Sequence, residues 1–180
     1  MLERAQTKLP DVDLSLGNAD QIPHEDGQFD LVVCRYAFHH FENKPGVLDE
    51  IVRVLRNGGV FIMRNICPEK MSRWWIYHYF PETVLADKGR FWDAEKIFAA
   101  LDERGFDARL EITLYIKRFG YEDLLEEAEN RDASQLTMIN DEAYRAGLAR
   151  MRENRRSQAS FPGDFALLVG RAMKSTRRNL

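Results

Sequence analysis

The stretch from Gly17 to Met63, GNADQIPHEDGQFDLVVCRYAFHHFENKPGVLDEIVRVLRNGGVFIM, decides the fold. At its centre, Phe29 to Cys34 (FDLVVC) is an apolar run broken by one aspartate. Such a run suits a strand buried on both faces of a parallel sheet. From Pro45 to Arg56, the residues Val47, Leu48, Ile51, Val54 and Leu55 fall on one face of a helix. Asn57-Gly58-Gly59 stops that helix, since glycine takes the left-handed cap conformation at little steric cost. Val60 to Ile66 then forms a second apolar strand.

Upstream, Val12, Leu14 and Leu16 alternate with polar residues and predict a short strand ended by Gly17. Gln21 to Gln28 carries Pro23 and Asp26-Gly27 and reads as a loop with a turn. Downstream, the aromatic-rich segment from Pro68 to Arg90 predicts one or two helices. Ala94 to Arg104 is helical, with Ile97, Phe98 and Leu101 inward and Gly105 as cap. Ala108 to Phe119 is a strand, and Tyr121 to Asn130 a helix. Asn140 caps a helix that begins with Asp141 and Glu142 and ends among arginines, as the helix dipole favours. A turn at Pro162-Gly163-Asp164 precedes a last strand, Phe165 to Ala172. The alternation predicts one α/β domain over residues 1–180, an open sheet covered by helices. Ligands of such sheets lie beyond the carboxyl ends of the strands. There the sequence places Asn18-Ala19-Asp20, then Arg35 and Tyr36, then Arg64 and Asn65.

Composition narrows the classes. Of 180 residues, 44% are hydrophobic and 31% charged, ordinary for a soluble globular chain. A net charge of −3 gives no electrostatic case for nucleic acid. The arginines at 152, 155 and 156 and at 177 and 178 read as a solvated helix end and a terminus. No apolar run is long enough to span a bilayer, and the first residues lack the apolar centre of a signal peptide. Cys34 and Cys67 have no partner at zinc-ligand spacing, so two free thiols in a cytoplasmic protein without a metal are expected.

The steps Gly17-Asn18-Ala19, Gln21-Ile22-Pro23, Phe29-Asp30-Leu31-Val32, His39-His40-Phe41 and Val54-Leu55-Arg56-Asn57-Gly58-Gly59 have a joint meaning. In their order and spacing, this chain resembles the class I S-adenosylmethionine-dependent methyltransferases. It is most similar to the small-molecule branch that includes the ubiquinone and menaquinone biosynthesis enzymes. The resemblance implies a Rossmann-like sheet with strand order 3-2-1-4-5-7-6, and S-adenosylmethionine as cofactor. Asn18 stands where the family usually has the aspartate that meets the adenine amino group. An asparagine carbonyl still accepts that bond. Ala19 would meet a ring nitrogen through its N–H, and Cys34 and Arg35 would touch the amino-acid part of the cofactor.

Met1-Leu2-Glu3-Arg4-Ala5 matches a step that the family carries on the helix after its second strand. By that alignment the sheet is incomplete at its N-terminal part, without the glycine-rich loop or the ribose-binding carboxylate. Three explanations stay open. They are a start at an internal methionine, which is the expectation; a displaced edge strand, with a homodimer exchanging elements; and a degenerate relative. Poor cofactor binding by these 180 residues, or none, follows as an expectation.

Methyl transfer from a sulfonium needs alignment and exclusion of water, and a base only when the acceptor must lose a proton. His39 and His40 are the candidate bases, or they orient the loop. Arg64 is a candidate ligand for an anionic acceptor, or a surface ion-pair partner. Trp74, Tyr77 and His78 fall where the family inserts a variable lid, here around residues 68–90. They suit a flat or apolar small-molecule substrate, or a packed cap. The rival function is a non-catalytic module of the same fold that binds a protein partner.

Overall fold

The segment from Leu55 to Ile66 (β2) is the strand on which the rest is built. Its residues alternate, with Phe61, Met63 and Asn65 buried and Val60, Ile62 and Arg64 half-buried. The computed structural model describes residues 2–175. β1 (Phe29–Arg35) pairs with β2 in parallel, from Leu31 opposite Val60 to Arg35 opposite Arg64. β3 (Phe106–Gly120) and β4 (Ser160–Lys174) form an antiparallel pair, and β4 also lies antiparallel to β2. The order β1-β2-β4-β3 corresponds to the 4-5-7-6 half of the expected sheet.

The helices are α1 (Leu2–Lys8), α2 (Lys44–Val54), α3 (Trp75–Tyr79), α4 (Thr83–Arg90), α5 (Ala94–Asp102), α6 (Tyr121–Glu129) and α7 (Asp141–Asn154). Three helices, α2, α5 and α7, start where the sequence offers a side-chain cap. The Asn43 side chain accepts from Gly46 N–H at 3.1 Å, Asp93 from Lys96 N–H at 2.7 Å, and Asn140 from Ala143 N–H at 2.8 Å. Among the described residues, no helix is long and apolar enough to cross a membrane.

The structure corrects several expectations. Val12 to Leu16 is not a strand. Alternation chooses a face but does not supply a ladder partner, and no described strand lies beside it. The helix at 45–56 ends at Val54, and Leu55 already pairs with Phe29. The glycines instead serve a tight turn inside the strand. Gly58 has φ +76°, and a Cβ on Gly59 would lie 2.9 Å from the Arg56 carbonyl. Pro162-Gly163-Asp164 continues β4 rather than turning. Beyond Ala166 that strand is paired with β3 alone, so its proline costs no bond to β2. Phe98 points outward, while Ile97, Ala100 and Leu101 face the core. The arginines at 177 and 178, like Met1, lie outside the described residues.

The largest correction concerns the sheet itself. Among the described residues, helices pack one face only. Leu31 and Val33, expected to be buried, are 49% and 50% exposed. Val169, Met173, Arg109 and Arg171 share their open face by register.

Candidate functional site

The turn after β1 begins with Tyr36, at φ +51°, whose N–H donates to the Arg64 carbonyl at 2.8 Å. A left-handed non-glycine residue is uncommon, and here it throws the chain sharply off the strand end. A short 3-10 turn, Phe38 to His40, follows, with Phe38 and His39 buried. His39 reaches Asn65, at the end of β2, with Nδ1 3.1 Å from Oδ1. That same oxygen accepts the Ile66 N–H at 3.1 Å. His39 therefore donates through Nδ1 and keeps its lone pair on Nε2. Its ring stacks on Phe91 at 4.3 Å and touches His40 at 4.0 Å. Burial, then the nearby His40 and Arg90, pull the His39 pKa down to about 4. His40 is lowered too, by burial, Arg90 and Lys44. Burial raises the Cys34 thiol, against hydrogen bonds from the Ala37 and Phe38 backbone.

The loop before β1 is tied to α2 along that helix's length. Arg53 on α2 donates to the carbonyls of Ile22 and His24 and pairs with Asp26 and Glu50. Glu50 in turn accepts the Ile22 N–H at 2.7 Å. Asn43, the cap of α2, donates to Asp20. The Asn18 carbonyl closes the turn by accepting Gln21 N–H, and the Asn18 side chain stays exposed beside Ala19. Asn18 and Ala19 thus sit near the loop that follows Cys34 and Arg35.

The segment from Pro68 to Arg90 packs as a cap. Trp74, Trp75, Ile76, Tyr79 and Phe80 are buried. The Tyr121 hydroxyl donates to the Met151 carbonyl at 3.0 Å and can accept from the Tyr79 hydroxyl 2.9 Å away, and Arg150 donates to the Tyr79 carbonyl. Gly147 on α7 lets the Phe80 ring approach to 2.2 Å from where a Cβ would stand. Tyr77 lies against Trp74 at 5.0 Å, and its hydroxyl donates to Asp87 at 2.9 Å. Asp87, 1% exposed, also accepts from Arg90 at 2.6 Å and Gln135 at 3.1 Å. Burial and the Asp87 charge push the Tyr77 phenol well above its ordinary pKa.

Two clefts lie near the segment from Asp87 to Trp92. One, of about 260 Å³, is lined by Cys67, Glu69, Tyr77, Asp87, Phe91 and Trp92 among others. Burial, then Glu69, pushes the Cys67 thiol there up to about 11. The other, of about 470 Å³, is bounded by His39, His40, Lys44, Arg90, Ser134 and Thr137 among others. Of the residues singled out as acceptor ligands, Tyr77 enters the first cleft and Trp74 backs it. Arg64 lies on the open face of the sheet, with its guanidinium 5.6 Å from the Tyr36 ring centroid. His78 is exposed on the far side of α3, near Phe161. Lys44, Asp87, Arg90 and Gln135 were not singled out in the sequence. Lys44 reads as a helix start and Asp87 as one charge among several.

Residues 1–63 match the methyltransferase domain family. Over that third of the chain the sequence is similar to methyltransferases, and the fold resembles theirs. The chain is 33% identical over 72 residues to the uncharacterized methyltransferase YcgJ of Bacillus subtilis, covering 40% of this chain and 24% of that protein. It is 31% identical over 85 residues to demethylmenaquinone methyltransferase of Thermotoga maritima, covering 46% and 37%. The chain thus spans about a quarter to just over a third of the length of these curated relatives. In fold it is similar to a methyltransferase from an antibiotic biosynthesis pathway of Anabaena variabilis. That likeness has a TM-score of 0.66 at 20% identity over 88% of this chain and 73% of the other. The methyltransferase match ends at Met63, so the lid and the first cleft are built from residues outside it, while the second cleft draws on both sides of that boundary.

Proposed function

We propose that the chain serves S-adenosylmethionine-dependent methyl transfer to a small molecule held between the strand ends and the 64–80 region. The observation that carries this reading is a juxtaposition. The turn at Asn18-Ala19, the end of β1 at Cys34-Arg35 and the His39–Asn65 pair all gather at one end of a methyltransferase-like sheet. The adenine half of the cofactor fits the first of these, where a free amide carbonyl on Asn18 lies beside the Ala19 N–H. When bound, the cofactor supplies an electrophilic methyl group. The chain's own residues do the rest. Tyr77 and Phe91 present flat, apolar walls, and the packed cap excludes water. His39 is too weak a base at about 4 to hold a substrate proton near neutrality. It acts as a neutral imidazole that fixes the loop, which leaves His40 as the base where an acceptor must lose a proton. The two free cysteines suit a reducing, cytosolic setting.

The test is a titration of the chain with S-adenosylhomocysteine followed by backbone amide NMR. Saturable shifts centred on Asn18, Ala19, Cys34 and Arg35 are expected, and Asn18→Ala should reduce them. An unchanged spectrum at millimolar ligand would count against the reading. A second reading, a non-catalytic module docking a protein or a second copy, draws on the open sheet face with its exposed Leu31 and Val33. Concentration-dependent self-association without any response to S-adenosylhomocysteine would favour it.

A further inference from the structure

The cleft beside His39 holds an excess of positive charge that the chain does not balance. Lys44 is 94% buried by its 6% exposure, yet its ammonium donates only to the Phe41 carbonyl, at 2.6 Å. Among the described residues it has no ion-pair partner. An ammonium withdrawn from water is unfavourable unless an opposite charge meets it. Arg90 stands in the same wall. One of its nitrogens pairs with Asp87, but its buried Nε has no hydrogen-bond partner. Asp87 is already engaged by Tyr77, Gln135 and Arg90. Lys96 sits 4.5 Å from the Trp92 ring centroid and adds further positive charge to that side. Among the residues lining the cleft, Glu42 is the acidic one, and it is exposed to solvent.

We propose that the cleft formed by His40, Lys44, Arg90, Ser134 and Thr137 is a subsite for an oxyanion, a carboxylate or phosphate borne by a small molecule. The Lys44 ammonium has N–H donors to spare, Arg90 offers its Nε–H, and the Ser134 hydroxyl can turn toward the same space. The depressed basicity of His39, His40 and Lys44 agrees with this geometry, since each is lowered in part by its cationic neighbours. The subsite rests on the methyl-transfer reading in one respect only, that the oxyanion belongs to the methyl acceptor.

The experiment titrates the full chain with inorganic phosphate and, separately, with acetate, at constant ionic strength held by chloride. Imidazole NMR signals of His39 and His40 report binding. At least one probe is expected to bind saturably and to move His40 toward its imidazolium position. Lys44→Met should weaken that binding at least tenfold, while Lys44→Arg retains it. Thr137→Glu, at an exposed position on the rim, should also weaken it and guards against a Lys44 variant that folds poorly. Absence of saturable binding in the native chain, or equal affinity in Lys44→Met and Thr137→Glu, overturns the subsite. S-adenosylhomocysteine is titrated in parallel. A response to it without oxyanion binding overturns the subsite and leaves methyl transfer standing. Oxyanion binding without that response supports the subsite and removes its assignment to a methyl acceptor.

Discussion

The two faces of this sheet differ more than its strands do. On one, Phe61 and Met63 are 1% exposed beneath α2 and α5, and Phe106 closes against Phe61. On the other, Leu31, Val33, Val169 and Met173 lie open among Arg109, Glu111 and Arg171. The same alternating strands serve both, so the pattern of side chains alone does not say where the energy of the fold resides. Covering does. Each fully buried large side chain contributes roughly 1.5–3 kcal/mol relative to an exposed one, and nearly all of these lie on the helix-covered side.

Substitutions can break or sharpen that contrast. Phe61→Ala should cost about 4 kcal/mol by opening a cavity in the covered face, measured by urea denaturation. Asp87→Ala should cost about 3 kcal/mol, because it leaves the Arg90 charge buried without its partner. Asp87→Asn, which keeps an acceptor, should cost less in the same measurement.

His39 supplies a pH-dependent version of the test. Its folded pKa of about 4 lies below that of a free histidine, so the unfolded chain binds the proton more tightly. The stability it contributes is full above about pH 6.5 and is lost as pH falls toward 4, on the order of 2 kcal/mol at the lower end. The difference in melting temperature between native chain and His39→Gln, followed from pH 7 to 4, should track that window. A flat difference would mean that the imidazole is not held neutral. At the small end, Val33→Thr on the open face should change stability by less than about 0.5 kcal/mol. A loss as large as that of Phe61→Ala would show the open face to be covered in solution.

Much of this architecture was legible in the sequence because local chemistry dictated it. The β1–α2–β2 unit follows from FDLVVC and the apolar helical face, although Asn57-Gly58-Gly59 turns within β2 and does not stop α2. The start of α7 follows from Asn140, whose side chain has one obvious backbone N–H to accept from. What was not legible depends on distant partners. Val12 to Leu16 alternates like a strand, but a strand also needs a neighbour. Pro162-Gly163-Asp164 has turn residues, yet β3 pairs across all three, and Asp164 accepts the Arg73 N–H at 2.9 Å. At the site, the His39-His40 step was visible, whereas the bond from His39 to Asn65 spans 26 positions. Lys44 looked like an ordinary helix start because nothing local reveals that its ammonium is buried.

The most direct test of the account is the backbone amide map of the chain with S-adenosylhomocysteine. The account predicts saturable shifts confined to Asn18, Ala19 and the turn from Cys34 to His40, with Arg109, Val169 and Arg171 unmoved. Shifts centred on the open face, or none at millimolar ligand, would contradict it.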